Sequence, residues 1–159
     1  MGTPLRVLLV EDSADDAALI VRDLQRGGYE VAFERVDSRE GMSRAIEQQS
    51  WDLVICDYSM PQFSGTEALK LVRERGSDAP FIFVSGTIGE DTAVSALKLG
   101  AQDYVMKGNL TRLLPAVERE LREAEERRER TRLEQRLKQL ERFEAIGKLA
   151  GGIGLRRTC

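Results

Sequence analysis

The sequence predicts an α/β fold in which a doubly wound, five-stranded parallel sheet is followed by an extended C-terminal helix. Over the first 110 residues, short apolar runs alternate with segments of helical periodicity, a pattern typical of repeated βα units. Three of the apolar runs are almost continuous, as in strands covered on both faces of a sheet. After residue 110, charged residues and regularly spaced leucines predict one long helix.

The apolar runs give five predicted strands, at residues 6–10, 31–36, 53–56, 81–85 and 103–106. The second run alternates apolar and polar residues, as an edge strand does. In the usual order of such a sheet, 2-1-3-4-5, the first and third strands are neighbours. Functional side chains are therefore expected at the carboxyl ends of these strands.

Local signals predict where the helices begin and end. A side-chain oxygen followed three residues later by an acid marks four starts, at Ser13, Asp37, Ser64 and Thr87. The helices should stop at the glycines that follow them, which are Gly27-Gly28, Gly76 and Gly100. Apolar residues at helical spacing, including Leu19, Val94 and Leu97, indicate helices between the strands. The last helix should have Asn109 as its N-cap.

The long C-terminal helix carries two apolar seams that are out of register with each other. The first is Leu110, Leu114, Val117, Leu121 and Ala124, and the second is Leu133, Leu137 and Leu140. Such seams favour a dimeric coiled coil, although a solvated helix held by i,i+4 ion pairs is the alternative. Four glycines near the end disfavour helix. We therefore expect a globular domain over 1–124, a coiled-coil helix over 125–150 and a disordered tail over 151–159.

Composition excludes several functional classes. The chain has 159 residues, a net charge of −3 and no histidine, so histidine-based triads, histidine metal ligation and phosphorylation on histidine are excluded within it. The acidic balance argues against a nucleic-acid partner. No apolar run approaches a membrane span or a signal peptide, and the two cysteines suggest no disulfide framework. A cytoplasmic protein is expected.

Carboxylates follow two neighbouring strands of the predicted sheet. Glu11 and Asp12 follow the first strand, and Asp57 ends the third. Like charges brought so close repel one another unless a cation or a proton intervenes. A hard cation with oxygen ligands, Mg²⁺ above all, would resolve this conflict. The sequence therefore predicts a magnesium site at this edge.

A hydroxyl and an ammonium are predicted at the same edge, from Ser85 after the fourth strand and Lys107 after the fifth. Together with a cation and carboxylates they suit phosphoryl transfer, with one carboxylate as the nucleophile. Each residue alone has an ordinary explanation as a turn former, helix cap or solvated charge. Their coincidence at one edge favours the functional interpretation.

The segments "VLLVEDS", "DLVICDYSMPQFSG", "FIFVSGT" and "GAQDYVMKG" closely resemble the CheY-like receiver domain of bacterial two-component response regulators. The resemblance covers roughly residues 5–124 and implies a flavodoxin-like fold. It also implies a phosphoacceptor rather than an enzyme, with a histidine kinase as phosphodonor. Transfer and autodephosphorylation would be its only chemistry.

The resemblance assigns roles to individual residues. Asp57 would receive the phosphoryl group, beside Lys107. Asp12 would bind Mg²⁺ directly and Glu11 through water, and the backbone carbonyl of Ser59 would supply another ligand. The switch pair would be Ser85 and Tyr104, although Tyr104 could also be a surface aromatic.

This sequence departs from the family pattern at two positions. Gly108 follows the lysine where the family usually has a proline in a cis bond, which leaves the conformation of that loop open. Ser85 replaces the commoner threonine, which keeps the hydroxyl but lacks a methyl group.

The segment "RFEAIGKLAGGI" resembles the start of the dimerisation helix of histidine kinases. Leu155 stands where the phosphorylated histidine of those kinases would be expected. The resemblance implies a helix that forms a homodimer but cannot carry phosphate on histidine, as in a truncated hybrid kinase.

The residues argue against two other functions and leave a third open. A haloacid-dehalogenase type phosphatase would need an acid two residues after its aspartate, and Ser59 stands there. A flavin carrier would need a phosphate loop after the first strand, where "EDSADD" would repel phosphate. A non-phosphorylated dimeric scaffold, or a non-catalytic fragment of a hybrid histidine kinase, is the remaining alternative.

Overall fold

A computed structural model describes the backbone of residues 2–86 and 90–158, and the side chains of residues 2–86 and 91–147. It contains five parallel strands in the order β2-β1-β3-β4-β5, so the predicted fold class and strand order are confirmed. The elements in chain order are β1 Thr3–Val10, α1 Ala14–Arg26, β2 Tyr29–Val36, α2 Arg39–Gln48, β3 Leu53–Asp57, α3 Gly65–Glu74, β4 Phe81–Ser85, α4 Glu90–Lys98, β5 Asp103–Met106, a 3₁₀ segment Lys107–Arg112, and α5 Leu113–Thr158.

The sheet separates two apolar clusters, one on each face. On one face, Leu9 and Ile55 of the sheet pack with Leu24 of α1 and Val117 of α5. The other face carries residues from α2, α3 and α4, including Met42 and Leu69. Because both faces are covered, the central strands β3 and β4 are buried along their whole length.

Side-chain caps define the helix starts. Ser13 Oγ accepts a hydrogen bond from the N–H of Asp16, and Ser64 Oγ accepts one from Glu67, as predicted. The prediction for α2 was wrong by one residue, because Ser38 Oγ rather than the Asp37 side chain accepts from the N–H of Gly41. The predicted cap at Thr87 lies outside the described residues. Gly28, Gly76 and Gly100 follow their helices with positive φ, a conformation that glycine adopts without strain.

In two helices, some apolar residues of the helical pattern lie on the exposed side. Val94 and Leu97 of α4 are exposed, as is Leu19 of α1. Among the described side chains of α4, Ala96 is fully buried in the cluster on its face of the sheet, and Ala93 packs against that cluster. Small alanines allow close approach of a helix to the sheet, so the larger apolar residues were a poor guide to its orientation.

The last helix begins later than predicted. It starts at Leu113, after the 3₁₀ segment, and Pro115 lies in its first turn. Asn109 interrupts the 3₁₀ segment with φ −136° and ψ 58°, and its side-chain oxygen accepts from the Thr111 hydroxyl instead of a helix N–H. The backbone of α5 continues to Thr158 and so includes most of the segment expected to be disordered.

The chain divides into two compact units, Met1–Arg122 and Glu123–Cys159. Among the side chains of the second unit that the structure describes, which end at residue 147, α5 exposes five large apolar ones: Leu133, Leu137, Leu140, Phe143 and Ile146. Among the described residues, no helix is both long and apolar enough to cross a membrane.

Candidate functional site

The parallel register brings the ends of four strands together. Val10 of β1 pairs with Cys56 of β3, so Glu11 and Asp57 follow neighbouring positions. Asp57 in turn pairs with Val84 of β4, immediately before Ser85. Lys107 follows the last residue of β5. The predicted convergence of site residues is therefore a consequence of the strand order.

Three carboxylates form a cluster that could hold a cation. Glu11, Asp12 and Asp57 each offer an oxygen, and these oxygens all lie within 4.8 Å of one another. Glu11 and Asp57 are buried, with exposed fractions of 1% and 6%, whereas Asp12 is exposed. A set of carboxylate oxygen ligands that is open to water on one side suits Mg²⁺, because this ion keeps several water ligands. The residues present therefore fit this ion.

Lys107 neutralises part of this negative charge. Its Nζ lies 3.1 Å from Asp57 Oδ2, 3.0 Å from Glu11 Oε2 and 2.7 Å from Asp16 Oδ2. Burial lowers the pKa of Lys107, but the three carboxylates outweigh it and raise the pKa above its ordinary value. The lysine is therefore a fixed positive charge beside Asp57.

The carboxylate of Asp57 is oriented from both sides. The N–H of Ser59 donates to Oδ1 at 3.0 Å, while Oδ2 faces Lys107. The loop then runs into α3 through Gly65, where an added Cβ would lie 2.6 Å from the Phe83 ring. Only glycine fits at this close approach, so the chain that follows Ser59 packs tightly against Phe83 in the middle of β4.

Burial raises the pKa of Glu11 to about 7. The Lys107 ammonium and the N–H of Ser13 lower it, while Asp12 and Asp57 raise it further. Glu11 is therefore partly protonated near neutral pH in the absence of a metal. The neighbouring Cys56 is fully buried, and burial holds the pKa of its thiol well above the ordinary value, so it is no nucleophile.

The two predicted switch residues are both buried. Ser85 is fully buried and Tyr104 is 6% exposed, which contradicts the surface interpretation of the tyrosine. The Tyr104 ring lies 6.4 Å from that of Phe83 and 6.3 Å from that of Tyr58. Within the described residues, neither hydroxyl makes a hydrogen bond of ordinary length and angle. Burial raises the pKa of Tyr104, and the nearby Ser85 hydroxyl lowers it by less.

Two features were not foreseen in the sequence. Asp16, in the first turn of α1, makes the shortest of the three contacts to Lys107. No local pattern marks it, because Asp12 lies outside α1 and the contact between Asp16 and Lys107 joins distant parts of the chain. The Lys107–Gly108 peptide bond is trans, and the chain passes directly into the 3₁₀ segment.

Comparison with known proteins decides the family. The sequence model of the family described as response regulator receiver domain matches residues 7–118. The chain belongs to the response regulator receiver family. As a receiver domain it is a component of two-component signalling. Receiver domains typically bind Mg²⁺ at an acidic pocket, and Glu11, Asp12 and Asp57 form an acidic group that could hold a metal ion.

Relatives share the receiver domain at moderate identity. The chemotaxis protein CheY of Treponema pallidum is 36% identical over 107 residues, covering 67% of this chain and 74% of CheY. The transcriptional regulatory protein PrrA of Mycobacterium tuberculosis is 34% identical over 105 residues. That match covers 66% of this chain but only 44% of PrrA, so the chain spans less than half of that relative.

A solved receiver structure shows the same fold. The response regulator receiver domain protein of Clostridium thermocellum is 27% identical, with a TM-score of 0.65. The similarity covers 76% of this chain and 97% of that one.

Proposed function

We propose that this receiver domain accepts a phosphoryl group from a histidine kinase onto Asp57, with Mg²⁺. The observation that carries the proposal is the environment of Asp57. Its carboxylate is buried, accepts from the Ser59 N–H, and lies 3.1 Å from Lys107. It also shares the 4.8 Å cluster of carboxylates with Glu11 and Asp12.

In the proposed transfer, a carboxylate oxygen of Asp57 attacks phosphorus while the phosphorus–nitrogen bond of the donor phosphohistidine breaks. Lys107 would balance charge on the phosphoryl oxygens, and the Ser59 N–H would keep the carboxylate oriented. Mg²⁺ held by Asp12, Asp57, the Ser59 carbonyl and, through water, Glu11 would supply further charge neutralisation. Hydrolysis of the acyl phosphate would return the carboxylate.

The buried hydroxyls would report the phosphorylated state. Ser85 Oγ has no hydrogen-bond partner among the described residues, so it is free to donate to a phosphoryl oxygen. Tyr104, on the neighbouring strand β5, would change its packing with Ser85. The receiver would thereby switch between inactive and active conformations.

The signalling output would be a protein–protein interaction that uses the C-terminal helix. We propose a receiver domain over residues 1–124, a coiled-coil segment over 125–150 and a tail over 151–159. The exposed Leu133, Leu137 and Leu140 favour a homodimer, because unpaired apolar seams on a long helix are stabilised by a partner helix. A dimeric scaffold without phosphorylation is the competing function.

The decisive experiment treats the full chain with acetyl phosphate and Mg²⁺ and measures the phosphoryl adduct by intact mass. Wild type should form an adduct that requires metal, and Asp57→Asn should form none. Asp78→Asn removes the same charge from an exposed position and should behave as wild type. An adduct that persists in Asp57→Asn, or no adduct in wild type, would exclude the proposed phosphoacceptor.

Light scattering after size exclusion tests the dimer. Leu137→Asn should weaken it, whereas Gln135→Asn, on the opposite side of the helix from the leucine seam, should not. A monomeric wild type would rule out the coiled coil. A dimer that forms no phosphoryl adduct would support the competing function, a dimeric scaffold without phosphorylation.

A further inference from the structure

The ammonium of Lys107 is shared among three carboxylates. An ammonium has three N–H donors, and Nζ lies 2.7 Å from Asp16, 3.0 Å from Glu11 and 3.1 Å from Asp57. Glu11 and Asp57 belong to the cluster that could bind a metal, but Asp16 does not. Asp16 comes from a different element, α1, and its side chain is 37% exposed.

Phosphorylation changes what this lysine faces. When Asp57 becomes an acyl phosphate, its carboxylate charge is lost and negative charge appears on the phosphoryl oxygens. Lys107 can then turn the donor that faced Asp57 toward a phosphoryl oxygen. Asp16 keeps its charge and continues to hold another donor of the same ammonium.

We propose that Asp16 is a positioning residue, which restrains Lys107 from α1 and weakens its hold on the phosphoryl group. The inference rests on the proposed phosphorylation of Asp57. Asp16 Oδ2 and Asp57 Oδ2 each lie within about 3 Å of one nitrogen, so they are at most about 6 Å apart. Asp16 and the phosphoryl group therefore compete for the same ammonium, and releasing it from this partly exposed ion pair should change the binding of an anion by about three- to fivefold.

The test measures the affinity of the full chain for beryllofluoride, a phosphoryl mimic, at saturating Mg²⁺ by calorimetric titration. Asp16→Asn keeps an oxygen acceptor but removes the charge, and it should tighten binding about three- to fivefold. Asp15→Asn is the matched control. It removes a charge from the same first turn of α1, but its carboxylate is not among those that contact Lys107. It should change affinity by less than about twofold.

Two further variants separate positioning from simple repulsion. Asp16→Glu restores the carboxylate and should return the affinity to within about twofold of wild type. In a Lys107→Met background, Asp16→Asn should lose most of its effect, because the ammonium through which Asp16 acts is gone. Thermal unfolding of each variant checks that the fold is retained.

The outcomes are distinguishable from those of the phosphorylation proposal. Wild type that binds no beryllofluoride would contradict the phosphoacceptor itself. Wild type that binds while Asp16→Asn and Asp15→Asn behave alike would overturn the role of Asp16 alone. An equal gain from Asp16→Asn with and without Lys107 would show through-space repulsion and would likewise overturn positioning.

Discussion

Replacing Lys107 with methionine should destabilise the metal-free protein in a way that depends on pH. Methionine retains an unbranched side chain but removes the ammonium. Glu11 and Asp57, whose side chains are 2% and 8% exposed, would lose the cation that lies about 3 Å from each. Removing one partner of a fully buried ion pair costs about 3–5 kcal/mol. Because the Lys107 side chain itself is 23% exposed, we expect the free energy of unfolding to fall by about 2–3 kcal/mol at pH 8.

The sign of the pH dependence follows from the carboxylates. Without Lys107, the pKa of Glu11 should rise beyond the value of about 7 that it has in the wild type. A carboxyl whose pKa is raised by folding adds no penalty below its unfolded pKa and its full penalty above its folded pKa. The deficit of the variant should therefore shrink to less than about 1 kcal/mol near pH 5. Mg²⁺ should also reduce it at pH 8, since the ion would neutralise the same carboxylates.

Urea unfolding followed by tryptophan fluorescence is the appropriate assay. The chain has one tryptophan, Trp51, which is buried in the receiver core and donates to the Ala45 carbonyl. Lys70→Met, at an exposed position of α3, is the matched control and should change stability by less than about 0.5 kcal/mol. A loss of equal size at pH 5 and pH 8 would mean that packing, and not charge, explains the effect. No loss at pH 8 would refute the electrostatic reasoning.

Three further predictions concern the metal cluster, the loop after Asp57 and the switch tyrosine. Because burial raises the pKa of Glu11 to about 7, this residue must release a proton before it can assist a cation. Calorimetry should therefore find an affinity for Mg²⁺ that is about tenfold higher at pH 8 than at pH 6. Glu11→Gln should abolish this difference between the two pH values. Gly65→Ala should lower the free energy of unfolding in urea by about 1–3 kcal/mol, since the added Cβ would lie 2.6 Å from the Phe83 ring. Gly108→Ala is the control and should lower it little, because no atom lies within 4 Å of a Cβ added there. Tyr104→Phe should leave the free energy of unfolding unchanged or raise it by up to about 1 kcal/mol, because the buried hydroxyl makes no hydrogen bond of ordinary geometry among the described residues. A loss above about 2 kcal/mol would instead show that the hydroxyl has a hydrogen-bond partner.

The sequence was most informative where a residue type is required by backbone geometry or by strand order. Apolar runs predicted all five strands because a doubly covered sheet tolerates little else. The placement of Glu11, Asp57 and Lys107 at one edge followed from that order. Helix orientation was less accessible, since the buried Ala96 carries a weaker signal than an exposed leucine. The contact of Asp16 with Lys107 joins residues 91 positions apart, and no local pattern encodes it.

The charges of the site suggest an order of events. Four carboxylates surround or approach one ammonium, and the phosphodonor brings further negative charge. Lys107 already uses contacts to three of these carboxylates, so it cannot by itself offset an approaching phosphoryl group. In the proposed transfer a divalent cation would therefore bind first, and adduct formation should require metal. In the phosphorylated state Asp57 would no longer compete for Lys107, and Asp16 would be the main exposed carboxylate that still does. The same lysine would thus link the stability of the resting site to the hold on the phosphoryl group.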